Sequence, residues 1–146
     1  LSGLYGILKP LDLMSPYRLE MGTKLETSEG KDLYEFWGQE ITNSINESIS
    51  THKSKYILNL ASVEYFSSVK KDLLNGEVIS PVFKDYKNGK YKIISFFAKK
   101  ARGSMTRYLV ENRIDSPKDI SGFDYDGYKY SKSESTEYSP VFLRKA

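Results

Sequence analysis

The stretch GEVISPVFKDYKNGKYKIISFFAKKARGSMTRYLVENR, residues 76–113, decides the fold of this chain. Two β-rich arms, 76–86 and 90–97, flank Lys87-Asn88-Gly89, and an Asn-Gly pair supplies the positive-φ residues of a tight hairpin turn. Pro81 cannot donate a hydrogen bond to a β-ladder, so we expect the first arm to lie at a sheet edge or to carry a bulge. Residues 98–113 have helical periodicity and predict a helix directly after the hairpin.

The same stretch is strongly basic. Residues 84–113 contain nine basic and two acidic residues, a charge of +7, whereas the rest of the chain has 13 basic and 17 acidic residues, or −4. A basic segment on a mildly acidic body is typical of a protein that binds polyanions, and a solvated basic face is the alternative interpretation. The candidate nucleic-acid contacts are Lys90, Lys92, Lys99, Lys100, Arg102 and Arg107.

Three further features of this segment bear on nucleic-acid binding. Tyr86 and Tyr91 on the hairpin are predicted to be exposed and able to stack on bases. Gly103 costs about 1 kcal/mol relative to alanine inside a helix, which suggests close approach of another backbone or of a ligand. Thr106 and Arg113 are predicted to share one helix flank with Lys99 and Arg102, whereas Lys100 and Arg107 are predicted to lie on the solvent side.

The rest of the chain predicts a mixture of helices and short strands. We expect strands at 1–8, 17–21 and 55–60, the last one parallel and buried, and closing strands at 120–132 and 137–145. Helices are predicted at 31–50, with an apolar stripe every four residues, and at 61–73, with Ser62 as N-cap. The interpretation is one α+β domain over residues 1–146, or one part of a larger domain.

Composition excludes several kinds of site. The chain has no cysteine and one histidine among its 146 residues, so thiolate zinc sites, iron–sulfur clusters and multi-histidine metal sites are excluded. His52 follows a predicted helix in a polar stretch and is interpreted as a solvated loop residue. We therefore expect no cofactor and no tight metal site. We also expect no membrane contact, because no apolar run approaches the length of a membrane span.

Weaker signals lie in the first half of the chain. Gly3-Leu4-Tyr5-Gly6 has the spacing of a backbone-clamping loop, but it follows a predicted strand rather than joining two helices. Asp12 and Glu20 flank Arg18, either as an acid/base pair or as a local salt bridge. Glu64 follows a predicted strand, where it is either a general base or metal ligand, or a glutamate favoured by the dipole of a helix N-terminus.

Five blocks together resemble the YaaA family of bacterial peroxide-stress proteins. They are LSGLYGILKPLDLMSPYRLEMG (1–22), KDLYEFWG (31–38), NLASVEYF (59–66), NGKYKIISFFAKKARG (88–103) and MTRYLVENRI (105–114). Family members begin with a further segment that includes an S-P-A-K-type motif. The resemblance therefore implies that residues 1–146 are the C-terminal portion of a single YaaA-like domain, lacking that segment.

The resemblance implies a cytoplasmic protein with an unusual α/β fold. The family is linked to survival of hydrogen peroxide by keeping free intracellular iron low, and DNA binding is attributed to it through a helix-hairpin-helix-like element and a basic cleft. The matching polar positions are Arg18, Glu64, Ser95, Lys99, Lys100 and Arg102. Ser95 is expected to end a strand, with Lys99 and Arg102 opening the next helix, which is a geometry that suits an anion. The candidate anion-binding residues are Ser95 and Arg18.

The leading hypothesis is a peroxide-stress protein that binds double-stranded or structured DNA through the basic hairpin and helix, with little base specificity. The alternative is an enzyme that acts on a nucleotide or nucleobase in a pocket around Arg18, Glu64 and Arg102. In that case Glu64, Arg18 and Tyr5 are the candidate catalytic residues. Direct binding of iron is the weakest reading, because the chain lacks cysteine and an obvious carboxylate cluster.

Overall fold

The computed structural model describes residues 1–145 as a mixture of helices and two β-sheets, and the chain has an α+β fold. Contacts divide it into two compact units: residues 1–55 with 61–76, and residues 56–60 with 77–145. Among the described residues, no helix combines the length and the apolar character needed to cross a lipid bilayer.

The first unit is helical and irregular. It contains α1 (Leu33–Trp37), α2 (Glu40–Ser50), α3 (Val63–Phe66) and a single 3₁₀ turn (Lys71–Leu73). Its core is built around Met21, Leu33, Ile41 and Val69, against which Trp37, Tyr65 and other partly buried apolar side chains pack.

The predicted single helix at 31–50 is broken in two. Gly38 has φ +48°, a conformation that an L residue in a helix does not adopt, and it ends α1. Asp32 is the N-cap of α1, because its carboxylate accepts from the Glu35 N–H at 2.9 Å. The predicted apolar stripe is core nevertheless, since Leu33, Ile41 and Ile49 are buried.

The strands predicted at 1–8 and 17–21 do not form. Ser2 and Gly6 close a tight turn by exchanging backbone hydrogen bonds of 2.8 and 2.9 Å, and Gly6 has φ +71°. A Cβ on Gly6 would lie 2.8 Å from the Trp37 ring, so glycine is required there both by conformation and by space. The 3-to-6 glycine pair therefore serves a packed turn in the first unit.

The second unit contains both sheets. In the smaller one, β1 (Tyr56–Leu58) pairs in parallel with β2 (Glu77–Ile79), as predicted for residues 55–60, although β1 is only partly buried. The larger one has the order β4-β3-β6-β5, formed by β3 (Val82–Lys87), β4 (Lys90–Lys92), β5 (Lys129–Tyr130) and β6 (Val141–Arg144). Strand β6 runs parallel to β3, and the other two pairings are antiparallel.

The predicted hairpin is confirmed. Asn88 (φ +55°) and Gly89 (φ +80°) form the two-residue turn between β3 and β4. The edge prediction for the first arm holds for β2, an edge strand of the two-stranded sheet, but not for β3, which lies between β4 and β6. Pro81 stands where the chain leaves one sheet for the other, a junction that needs no ladder donor.

A long helix, α4 (Ser95–Glu111), follows the hairpin and covers one face of the larger sheet. Ala101 and Met105 are buried against an aromatic core formed by Phe83, Phe123, Tyr128 and Phe142. Two short 3₁₀ segments, Pro117–Gly122 and Tyr125–Gly127, lead from α4 to β5. The predicted apolar face of the helix is therefore confirmed, although the helix begins three residues earlier than its pattern indicated.

Candidate functional site

The register of the larger sheet sorts the hairpin side chains onto two faces. Directly opposed residues point to the same face, and successive residues alternate. Lys87 opposes Lys90 and Asp85 opposes Lys92, on the face where Phe83 is buried beneath α4. The hairpin lysines therefore lie on the same side of the sheet as the basic helix.

The hairpin tyrosines lie on the opposite face. Tyr86 and Tyr91 are cross-strand neighbours whose rings meet edge to face, with 5.2 Å between their centroids. The Lys145 ammonium lies 5.1 Å from the centre of the Tyr86 ring, in cation–π geometry. The two tyrosines are partly exposed, as predicted, but they do not share a surface with the lysines of α4.

The outer face of α4 carries two lysines without partners. Lys99 and Lys100 are exposed, and the side chain of neither forms a hydrogen bond or an ion pair with any of residues 1–145. Because they have no acidic partner, their full charge is available to an external anion. These two lysines form, together with Lys87, Lys90, Lys92, Arg102 and Arg107, what we call the basic surface.

The two arginines of the basic surface are held differently. Arg107 donates to Glu111 at 2.7 Å, an i,i+4 pair on the helix surface, and Glu111 also accepts from the Tyr125 hydroxyl. Arg102 is partly buried, and its Nε donates to the Ala98 carbonyl at 3.3 Å. Burial lowers the pKa of Arg102, but an arginine remains charged at neutral pH.

Ser95 is the first residue of α4 rather than the end of a strand, since β4 stops at Lys92. The helix has no side-chain N-cap, because Ile94 occupies that position. Ser95, Lys99 and Arg102 follow at i, i+4 and i+7 and lie on one flank of the helix. Arg113, which was predicted to share a flank with Lys99, Arg102 and Thr106, lies outside the helix with φ +52°.

Gly103 lies in the middle of the exposed face of α4. A Cβ built at this position meets no atom within 4 Å, so no neighbouring backbone in the described chain explains the glycine. At 100° per residue, Lys99 and Arg107 lie within about 40° of Gly103 around the helix axis. The backbone is thus bare where the cations border it, and an external group can approach it closely.

In the first unit, Glu64 holds a loop in place. Its Oε1 accepts from the Gly22 N–H at 2.8 Å, and its carbonyl accepts from the Tyr34 hydroxyl at 2.9 Å. A Cβ on Gly22 would lie 2.9 Å from the same carboxylate oxygen, so glycine permits this contact. Glu64 also lies in the first turn of α3, where the helix dipole favours a carboxylate.

The other candidates of the first unit are Tyr5 and Arg18. The Tyr5 hydroxyl accepts from the Ser15 N–H at 3.2 Å, and its ring meets Tyr17 edge to face. Arg18 is exposed and has no hydrogen bond or ion pair within the described chain. The local salt bridge expected around Arg18 does not form, because Asp12 accepts instead from the Lys9 N–H at 2.7 Å.

The residues of the hypothetical enzymatic pocket are distributed over both units. Arg18 and Glu64 belong to the first unit and Arg102 to the second. Among the described residues, no three histidine, aspartate or glutamate side chains form a group that would hold a metal ion. A catalytic role for Glu64, Arg18 and Tyr5 stays a prediction.

The contact between Glu64 and Gly22 gives a stability prediction. Glu64→Ala removes the acceptor and is expected to lower the free energy of unfolding by about 1 kcal/mol, whereas Glu64→Gln keeps an acceptor oxygen and is expected to have a smaller effect. Urea unfolding of both variants measures this difference. Equal losses for alanine and glutamine would show that the hydrogen bond to Gly22 contributes nothing to stability.

Sequence reasoning missed a buried ionic cluster between β3 and β6. Asp85 is 4% exposed; its carboxylate accepts from Arg144 Nε at 2.6 Å and from the Tyr128 hydroxyl at 2.9 Å. The Arg144 guanidinium also lies over the rings of Phe97 and Tyr128. The one signal in the sequence was the spacing of Phe83 and Asp85, since residues two apart on a strand share a face and Phe83 is buried.

Comparison with known proteins agrees with the resemblance seen in the sequence. A family model described as peroxide stress protein YaaA matches residues 1–134. A UPF0246 protein of Shewanella woodyi is 57% identical over 145 residues, which cover 99% of this chain and 57% of that relative. A UPF0246 protein of Shewanella pealeana is 58% identical over 145 residues, covering 99% of this chain and 56% of that relative.

The α+β chain is thus related to proteins of the peroxide stress response, and it belongs to the peroxide stress protein YaaA family. The family prediction is confirmed. The chain spans a little over half the length of the curated relatives that it matches.

Proposed function

We propose that this chain contributes to the peroxide stress response by binding DNA through the basic surface, in the cytoplasm. The observation that carries the proposal is the pair of exposed, unpartnered lysines, Lys99 and Lys100, bordering a bare helix backbone at Gly103. Lysine side chains on an exposed helix neutralise phosphates without reading bases. The expected ligand is double-stranded or structured DNA, bound with little sequence preference.

The geometry favours contact with the phosphate backbone over base stacking. The tyrosines that were candidates for stacking lie on the face of the sheet away from α4. The lysines of the hairpin lie on the same side as the helix, so one backbone strand can be followed by cations from both elements. Shape and charge would then determine binding, and sequence would matter little.

The direct test is equilibrium binding of two fluorescent 20-base-pair duplexes with unrelated sequences. We expect both to bind at 50 mM salt with affinities that agree within about threefold, because phosphate contacts carry no sequence information. Absence of binding to either duplex at 50 mM salt would refute the proposal. A large preference for one sequence would show that bases are read, against the phosphate-contact account.

We also propose that this binding helps to limit oxidative damage and free intracellular iron, and that the effect on iron is indirect. The support is the family membership together with a sequence that contains no cysteine and one histidine. In cells lacking the gene, the full-length protein is expected to restore peroxide survival, and a form with Lys99 and Lys100 changed to glutamate is expected not to. Equal rescue by the two forms would separate the basic surface from the stress response.

Gly103 provides a prediction that separates stability from binding. Gly103→Ala is expected to stabilise the protein by up to about 1 kcal/mol, because alanine has the higher helix propensity and its Cβ meets no atom within 4 Å. The same methyl group stands where DNA would approach, so duplex affinity is expected to fall severalfold. Unfolding and duplex titration of one variant test both effects.

The outcome of the Gly103 experiment is decided by the sign of the two changes. A more stable variant with weaker DNA binding supports close approach at Gly103. A more stable variant with unchanged binding would show that DNA does not approach the helix at this residue. Ser104→Ala is the control. The Ser104 hydroxyl donates to Asp126, so this substitution changes α4 beside Gly103 without adding a methyl group at Gly103 itself.

A further inference from the structure

A cavity of about 490 Å³ lies in the second unit, and no residue of the basic surface lines it. It is formed by β1, β2 and β5, the 3₁₀ turn at 117–122 and the loop at 131–140. A volume between about 300 and 1,000 Å³ is typical of sites for small organic ligands. The cavity is large enough for a ligand of the size of one nucleotide.

The cavity is lined by tyrosine side chains that are exposed to solvent. Three tyrosines line it, Tyr56, Tyr130 and Tyr138, and they are 47%, 38% and 46% exposed. The hydroxyls of Tyr56 and Tyr130 form no hydrogen bond with another described residue. Tyrosine offers a flat apolar ring and a polar tip, a combination that suits a planar heterocycle.

The charged lining favours an anion. Lys118 and Lys132 line the cavity, are exposed and have no ion pair or hydrogen bond from their side chains within the described chain. Glu137 is the single carboxylate of the lining. It lies near the Tyr138 hydroxyl, whose pKa is raised by the charges of Glu77 and Glu137 and by a hydrogen bond with Glu77, so this phenol stays protonated.

The hydroxyl groups of the lining add further hydrogen-bonding capacity. Ser116 and Thr136 have side-chain hydroxyls without a partner among residues 1–145. Ser135 and Ser121, by contrast, donate to the carbonyls of Ser131 and Lys118 and help to hold the walls of the cavity. Donors and acceptors of this kind fix the orientation of a polar ligand within an aromatic pocket.

We propose that this cavity binds a nucleotide unit, with its base against the tyrosines and its phosphate on Lys118 and Lys132. A purely apolar ligand would leave two cations and four unpaired hydroxyls without partners, and a bare phosphate would leave the three rings uncovered. A nucleoside phosphate uses both parts of the lining. The site goes beyond the proposed DNA-binding function and shares no residue with the basic surface.

The test is calorimetric titration of the whole 146-residue chain with AMP, adenosine and inorganic phosphate. AMP is expected to bind at least about tenfold more tightly than either fragment, because stacking and charge contacts are both required. Failure of AMP to bind at millimolar concentration, or equal binding of AMP and adenosine, would overturn the proposal.

Matched variants locate the binding. Lys118→Gln with Lys132→Gln, and separately Tyr138→Leu, are each expected to weaken AMP binding about tenfold, while Tyr138→Phe keeps the ring and most of the affinity. Lys129→Gln is the control, because Lys129 is exposed on β5 but does not line the cavity. Equal effects of the control and the cavity variants would overturn the assignment.

The source of the nucleotide is distinguished by competition. If AMP is displaced by oligodeoxyadenylate of five nucleotides at comparable concentration, the cavity accepts a nucleotide from a single strand. If the oligonucleotide fails to compete, the ligand is a free mononucleotide, and either result supports the site. Changing Lys99 and Lys100 to glutamate is expected to leave AMP binding intact, so failure here is separable from failure of the DNA-binding proposal.

Discussion

Changing Lys99 and Lys100 together to glutamate is expected to weaken duplex DNA binding by roughly a hundredfold at 100 mM salt. Each phosphate contact changes the logarithm of the affinity by about 0.9 for a tenfold change in salt. Counted from 1 M salt, two contacts therefore contribute roughly sixtyfold to the affinity at 100 mM, and the variant loses this contribution. The two new carboxylates add repulsion from the phosphates. Both side chains are exposed and unpartnered, so their replacement removes no contact within residues 1–145.

The matched control is the same charge change in the first unit. Lys24 and Lys53 are exposed and unpartnered, and Lys24→Glu with Lys53→Glu alters net charge equally. This control is expected to weaken binding only a few-fold, through the overall field of the protein. If the two double variants lose affinity equally, binding depends on net charge and the basic surface has no special role.

The second large effect concerns stability. Asp85→Ala is expected to lower the free energy of unfolding by about 3 kcal/mol, because it leaves the Arg144 guanidinium and the Tyr128 hydroxyl without their buried acceptor. The loss would loosen the pairing of β3 with β6. Denaturant unfolding followed by circular dichroism measures it.

A second ion pair, between β3 and the loop that joins β5 to β6, provides the contrast. Lys84 and Glu134 meet at 2.6 Å, but their side chains are 29% and 36% exposed, so Glu134→Ala is expected to cost less than about 1 kcal/mol. The difference between the two variants isolates the effect of burial. Similar losses for Asp85→Ala and Glu134→Ala would contradict the structural role given to the buried cluster.

Local signals in the sequence predicted the elements that depend on local chemistry. Asn88-Gly89 fixes a hairpin by its own backbone preference, Ser62 caps α3, and the apolar face of α4 is visible in its spacing. The break at Gly38 was missed, since the apolar stripe of four-residue spacing continues across it. In the folded chain, the positive φ of Gly38 divides this stripe between two helices, α1 and α2.

Long-range pairings were not predictable in the same way. Nothing in the arm 76–86 shows that its two halves enter different sheets, or that β6 will add in parallel beside β3. The burial of Asp85 and the position of Pro81 inside the fold both follow from that pairing. The separation of the hairpin tyrosines from the helix lysines follows from the same register.

The candidate site shows the same division. The sequence identified the basic residues of α4 from charge and helical spacing alone, both of which are local properties. The cavity with Tyr56, Tyr130 and Tyr138 combines residues more than 70 positions apart, and no spacing indicates that they meet. The role of Glu64 in holding Gly22 likewise depends on a contact across 42 residues.

The most direct test of the central claim is the salt dependence of duplex binding between 50 and 200 mM. The six candidate contacts predict a slope of log affinity against log salt of about −5, and Lys99→Gln with Lys100→Gln is expected to reduce its magnitude by about 2. A slope near zero, or the same slope for the variant and the unchanged chain, would contradict DNA binding through this surface.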